Sequence, residues 1–212
     1  MNQPDRSAPQ ALADHFESLF AETDDPWGYR TRWYERRKRA QLLACLPAER
    51  YVLAFEPACA NGELSAELAT RCARLICSDG SAAAITHARR RLAHLPHVDL
   101  RHATIPAHWP EGRFDLIVLS EIGYYLDEHA FHTTIDCAVE SLADGGNLLA
   151  SHWRHPEGDY FRSGDDVHRQ LAVAVEQQAG WTRLLRHEEE DFLVDVWSPD
   201  GRSVARREGL RP

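Results

Sequence analysis

The 212-residue sequence predicts an α/β protein built on a mostly parallel sheet of seven strands. Three observations predict it. Between Tyr51 and Trp153, short apolar runs alternate with helical stretches of roughly ten to fifteen residues, the pattern of βαβ units. FDLIVLSE (Phe114–Glu121) is almost wholly apolar at its start, as a central strand covered on both faces should be. The last third changes character: WTRLLRHEEEDFLVDVW holds two strand-like runs about an acidic turn, which reads as an antiparallel hairpin at the sheet edge.

Taken in order, residues 1–10 are polar, carry two prolines and lack periodicity, so they read as disordered. Leu12, Phe16, Leu19 and Phe20 recur at helical spacing over 11–20. Asp25-Pro26 breaks that helix, and a second runs from Thr31 to Leu46, where Pro47 ends it. Residues 1–47 are thus a disordered start plus a helical cap, and 48–212 form the main unit of a single domain. The strands then read Tyr51–Glu56, Arg74–Ser78, Val98–Ala103, Phe114–Glu121 and Asn147–Trp153. Helices fill Gly62–Cys72, Ser81–Ala93, Glu128–Leu142 (with a turn at Asp144-Gly145-Gly146) and Asp165–Gln178.

A net charge of −9 argues against a general nucleic-acid binder. The local exception is ERRKR at Glu35–Arg39, either a solvated helix face or a cationic flank to an active-site mouth. No apolar run is long enough to span a membrane, and the polar N-terminus lacks the pattern of a signal peptide, so a cytoplasmic protein is expected. The five cysteines form no CxxC pair and read as reduced, buried residues; the twelve histidines carry no metal-ligand spacing, so no metal is expected.

In an open α/β sheet, ligands bind beyond the carboxyl ends of the strands, where the connection direction reverses. The first such end here is FEPACANGELS, with Glu56, a turn of small residues and Gly62. Small residues let backbone amides approach a ligand, although Ala58 and Ala60 stand where a dinucleotide site would carry glycine. The next strand ends in Asp79, an acid placed to take both hydroxyls of a ribose. That acid without a phosphate-binding glycine pattern points away from nicotinamide dinucleotides and toward S-adenosylmethionine.

EPACANG, Asp79-Gly80-Ser81, FDLIVLSEIGYYL and DGGNLLASHW resemble the successive motifs of class I S-adenosylmethionine-dependent methyltransferases. More narrowly, WYERRK and SEIGYYL resemble the nodulation protein S group, whose members N-methylate the amine of a deacetylated amino-sugar oligomer. The resemblance implies a Rossmann-like seven-stranded sheet of order 3-2-1-4-5-7-6 with the last strand antiparallel. It implies that Glu56 steadies the cofactor turn with Ala58 beside it, that Gly62 lets the methionine moiety sit close, and that Asp79 holds the ribose. Gly80 and Ser81 would flank the adenine. Thr104 and Ile105 fall where the family contacts the adenine amine, often through an acid, for which this chain has Ala103-Thr104. Ser120 and Glu121 close the set at the end of the fourth strand.

Methyl transfer is an in-line displacement, and an amine acceptor must first lose its proton. Glu121 is the best-placed acid, as base or as a structural carboxylate bonded to loop amides. Tyr125 or Tyr124 could pack on the sulfonium, and His152 or His155 could be the acceptor-side base. Tyr34 and Arg37 share a helical face in an aromatic-rich lid, where Arg37 meets either the cofactor carboxylate or a surface acid. The expected function is methylation of an amine on a small molecule or glycan acceptor. An O-methyltransferase and a non-catalytic partner subunit of the same fold are the alternatives.

Overall fold

The computed structural model describes residues 8–155 and 161–211. Seven strands make one sheet: β1 (Tyr51–Pro57), β2 (Cys72–Asp79), β3 (Val98–His102), β4 (Phe114–Ser120), β5 (Leu142–Trp153), β6 (Thr182–Glu188) and β7 (Phe192–Ser198). Their order is β3-β2-β1-β4-β5-β7-β6. Pairings from β3 through β5 are parallel, and β7 lies antiparallel to both β5 and β6. This is the expected order and the class I methyltransferase fold.

The apolar run of β4 explains itself in the packing. Leu116 and Val118 join a core with Leu42, Leu68, Leu75 and Ile85 on one face, while Ile117 and Leu119 join Phe131, Ile135, Val167 and Leu171 on the other. Helices α1 (Ala8–Glu22), α2 (Trp33–Ala44), α3 (Glu63–Leu68) and α4 (Ala82–Leu92) precede β3; α5 (Glu128–Ser141), α6 (Gly164–Glu176) and the short α7 (Val204–Arg207) follow β4. Asp127 caps α5, and Ser163 with Asp166 forms a capping box on α6. No described helix is long and apolar enough to cross a membrane.

Several boundaries differ from the sequence reading. The disordered start falls outside the described residues for 1–7, while 8–10 form the first turn of α1. The helix expected over 62–72 is only Glu63–Leu68 plus a 3-10 turn at Ala69–Arg71, and β2 begins at Cys72. Arg71 ends it by donating to the carbonyls of Leu43, Ala48 and Glu49. The Asp144-Gly145-Gly146 turn is a bulge inside β5: Phe114 pairs with Leu142 and Leu116 with Asn147, so residues 143–146 oppose Asp115 alone. The helix α7 carries no strong apolar period and was not expected.

Candidate functional site

The chain leaves β1 toward β2 and β3, then returns to β4 on its other side, so the switch point lies at the carboxyl ends of β1 and β4. The turn after β1 is built from three left-handed residues, Ala58 (φ 55°), Ala60 (φ 51°) and Gly62 (φ 81°). The alanines therefore hold the backbone that glycine would adopt, at a cost of about 1–2 kcal/mol each. Gly62 has a packing reason as well, since a Cβ there would meet Ala88 and Leu92 of α4 at 3.1–3.3 Å.

Asp79 locks this turn to the next helix. Its Oδ2 accepts from Ala60 N–H at 2.9 Å and its Oδ1 from Ser81 N–H at 2.8 Å. Burial raises its carboxyl above the usual range, with those two amides opposing. Glu56, fully buried one strand over, is pushed up to about 7 by burial. Gly80 lies against Thr104, whose Cγ2 would stand 3.0 Å from a side chain at residue 80. Ser81 caps α4 and donates its hydroxyl to Glu17 of α1 at 2.7 Å. Ile105 packs at the rim of the core behind this corner.

A cavity opens between this turn and α2. Glu56, Ala58, Ser120 and Glu121 line it, together with Tyr29 of the aromatic lid, Glu35, Lys38 and Arg39 of the basic run, and Asn61 and Glu63, to which the sequence reading gave no role. Glu121 sits at φ 55°, a strained value for a non-glycine residue and a mark of functional loops. Its Oε1 pairs with Lys38 Nζ at 2.9 Å, and its Oε2 accepts from Trp153 N–H at 3.0 Å and from the Tyr124 hydroxyl. Burial would lower the Lys38 ammonium, but the facing carboxylates of Glu121 and Glu35 outweigh it and hold it above its ordinary value. Asn61 ties the turn to the lid by donating to the Asp24 carbonyl at 2.8 Å. Glu63 is buried between Arg30 (2.8 Å) and Arg91 (3.1 Å).

Four residues read as site residues, Arg37, Tyr34, His152 and Tyr125, face elsewhere than the cavity. Arg37 and Tyr34 do share a helix face, but it turns toward the hairpin: Arg37 donates to both carboxylate oxygens of Glu189 at 2.7 Å and does not line the cavity. Tyr34 stacks edge-on to Trp153 and Phe192, with Lys38 beside its ring. His152 is fully buried behind the site. Its Nε2 accepts from Gly123 N–H, so its proton lies on Nδ1, facing His168 Nε2 at 3.1 Å; His168 in turn meets Asp195 at 2.6 Å. Burial drives this imidazole well below its ordinary value, so it is a neutral structural link that braces the Gly123 turn. His155, the other histidine considered, pairs with Asp191 at 3.0 Å. Tyr125 packs against Phe16 of α1 and Tyr124, joining the lid, while Tyr124 is the tyrosine that reaches Glu121. The basic run at 35–39 is not a solvated face, since Glu35, Lys38 and Arg39 are buried.

The inward face of the run at 35–39 had a signal. Positions 35, 38, 39 and 42 repeat as i, i+3, i+4 and i+7, the spacing of a core-facing stripe, and Leu42 confirms that face. A separate open groove between α6 and β6 is lined by Arg169, Arg183 and Arg186, each paired with an acid, and holds none of the residues read from the sequence.

The cavity suits a cationic, ribose-bearing ligand. Asp79, at the turn beside the cavity, offers lone pairs beyond its two amide bonds, Asn61 Oδ1 is buried with no partner among the described residues, and Glu35 and Glu121 of the wall share the ammonium of Lys38.

The family model for nodulation protein S matches residues 14–156. Nodulation protein S of Rhizobium tropici is 31% identical over 157 residues, 68% of this chain and 66% of the relative. That of Bradyrhizobium diazoefficiens is 31% identical, with 64% and 69% covered. The match thus spans about two thirds of these relatives' length. Among solved structures, a candidate methyltransferase from Pseudomonas syringae is 51% identical, covering 79% of this chain and 99% of that one at a TM-score of 0.68. The N-methyltransferase NodS from Bradyrhizobium japonicum, solved with S-adenosyl-L-homocysteine, is 27% identical, covering 87% and 96% at a TM-score of 0.76. With the model covering more than half of the sequence, the chain belongs to the nodulation protein S family.

Proposed function

We propose that this chain is an S-adenosylmethionine-dependent N-methyltransferase acting on the amine of a small molecule or amino-sugar oligomer. The observation that carries the reading is the position of Asp79, bridging a left-handed turn to the start of α4 at the switch point, beside a cavity where Glu35 and Glu121 face the one ammonium of Lys38. When bound, the cofactor supplies an electrophilic methyl group on a sulfonium.

The residues divide the work. Asp79 takes the ribose hydroxyls, Thr104 and Gly80 form the wall beside the base, and Asn61 Oδ1 accepts from the amino-acid end. Glu56 holds the strand end from beneath. Ser120 and Glu121 bound the methyl side, where Glu121, fixed by three donors, orients the SEIGYY loop and supplies negative charge for a cation. The α1–α2 lid excludes water, and bringing two reactants together in one orientation covers much of the acceleration.

Calorimetric titration with S-adenosylhomocysteine tests the cofactor site. Asp79→Ala should weaken binding by roughly 100-fold or more, because two charge-assisted hydrogen bonds are lost, while circular dichroism stays native. Retained affinity would remove the ribose assignment. Labelled cofactor, screened against amino sugars, their acylated forms and small amines, tests the acceptor.

A further inference from the structure

The buried stripe of α2 holds one carboxylate more than its neighbours neutralise. Among the described residues, Lys38 is the one cation between Glu121, at 2.9 Å, and Glu35, at 3.6 Å. Arg39 is committed elsewhere, donating to Glu67 at 2.8 Å and to the Tyr29 carbonyl at 2.7 Å. The two acids are not equivalent. Both oxygens of Glu121 already accept hydrogen bonds, whereas among the described residues Glu35 meets Lys38 alone, and at the longer distance. Glu35 nevertheless lines the cavity and is 9% exposed.

A buried carboxylate without a full partner is costly unless a cation or a proton reaches it. The charged and titratable groups facing Glu35 are Lys38 and Arg39 of α2, Glu121 at the end of β4, and Tyr29 and Tyr34; Glu56 and Glu63 stand elsewhere on the cavity wall. Burial lifts the Glu35 carboxyl above its ordinary value, with Lys38 opposing, which makes it a better proton acceptor than an exposed acid.

We propose that Glu35 is the proton acceptor for the acceptor amine, and that its charge, balanced by a Lys38 that it shares with Glu121, selects an ammonium over a hydroxyl. The proposal rests on the methyl-transfer reading above. Glu35 takes one proton from the bound R–NH3+, freeing the nitrogen lone pair. That pair forms the N–C bond while the C–S bonding pair leaves with sulfur. Glu35 then returns its proton to solvent, so charge and atoms balance.

The test compares wild type with Glu35→Gln on glucosamine beside glucose, its β-1,4 disaccharide beside cellobiose, and ethanolamine beside ethylene glycol. Binding of each is measured in the presence of S-adenosylhomocysteine, and kcat is followed against pH. In wild type the amines should bind more tightly than their hydroxyl counterparts, and kcat should stay flat from neutral pH up to the amine's own pKa, falling only at acid pH where Glu35 itself takes a proton. E35Q should keep its affinity for S-adenosylhomocysteine, lose the preference for amines, and lose roughly 100-fold in kcat at neutral pH. Its rate should then recover about tenfold per pH unit toward the amine's pKa.

An unchanged E35Q profile, or a uniform fall that higher pH does not restore, overturns the proposal. So does methylation of the hydroxyl compounds alone, or of no amine in the panel. If E35Q loses S-adenosylhomocysteine affinity as well, wild type decides: a kcat that climbs tenfold per unit toward the amine's pKa overturns the assignment, and a flat one supports it. Failure of wild type itself to bind S-adenosylhomocysteine would instead remove the methyl-transfer reading.

Discussion

Glu56 ends β1 inside the protein, and burial holds its carboxyl near 7 instead of 4.5. The folded state therefore grips this proton more tightly than the unfolded chain does. Stability from that difference is complete below about 4.5 and is lost as pH rises through 7. Relative to Glu56→Gln, wild type should lose about 3 kcal/mol across that interval, measured as the widening gap between their urea midpoints. Parallel midpoints at both ends would place the carboxylate in a better-solvated setting. The residues that the sequence made legible are those whose chemistry acts locally. Asp79 ends its strand, and its reach to the turn follows from adjacent parallel strands. His152 was not legible, because its partners come from Gly123, His168 and Asp195, which are distant in sequence and meet only in the fold.

At the scale of elements, α2 is the part that sequence reasoning placed but did not orient. Its two working faces point to different neighbours: Tyr34 and Arg37 to the hairpin, Glu35 and Lys38 to the cavity. The Arg37–Glu189 pair is a partly exposed bidentate brace between helix and hairpin. Arg37→Ala should therefore leave the urea midpoint almost unmoved, since solvent screens an exposed pair, and leave S-adenosylhomocysteine affinity unchanged. A tenfold loss of affinity would return Arg37 to the cofactor site. The shortened α3 and the bulge of β5 escaped the sequence for a common reason. Arg71 and the β4–β5 register fix those ends through long-range contacts, which local periodicity does not carry.

For the whole molecule, strand alternation gave the fold class, while the order of the sheet came from family resemblance and is met in full. While Leu42 anchors α2 in the core, α1 and the segment after it are tied down by polar links: Asn61 to Asp24, Glu17 to Ser81, and His87 to the Phe20 carbonyl. Such links open more readily than the central strands. Amides of Gly28, Tyr29, Thr31 and Arg32, bonded within the lid, should exchange early in the free protein. They should slow by about 100-fold with S-adenosylhomocysteine at 100 times its Kd, if opening of the lid breaks the site. Hydrogen exchange read by mass spectrometry checks this, and equal rates with and without ligand would separate the lid from binding. One further property follows from Glu63. A nucleotide's phosphate would ordinarily settle at the head of the helix after the first strand, but here that helix begins with its own carboxylate, already clasped by two arginines. The fold thereby sets its own carboxylate at that helix head, so both arginines are already engaged before any phosphate of an adenosine polyphosphate could draw on them.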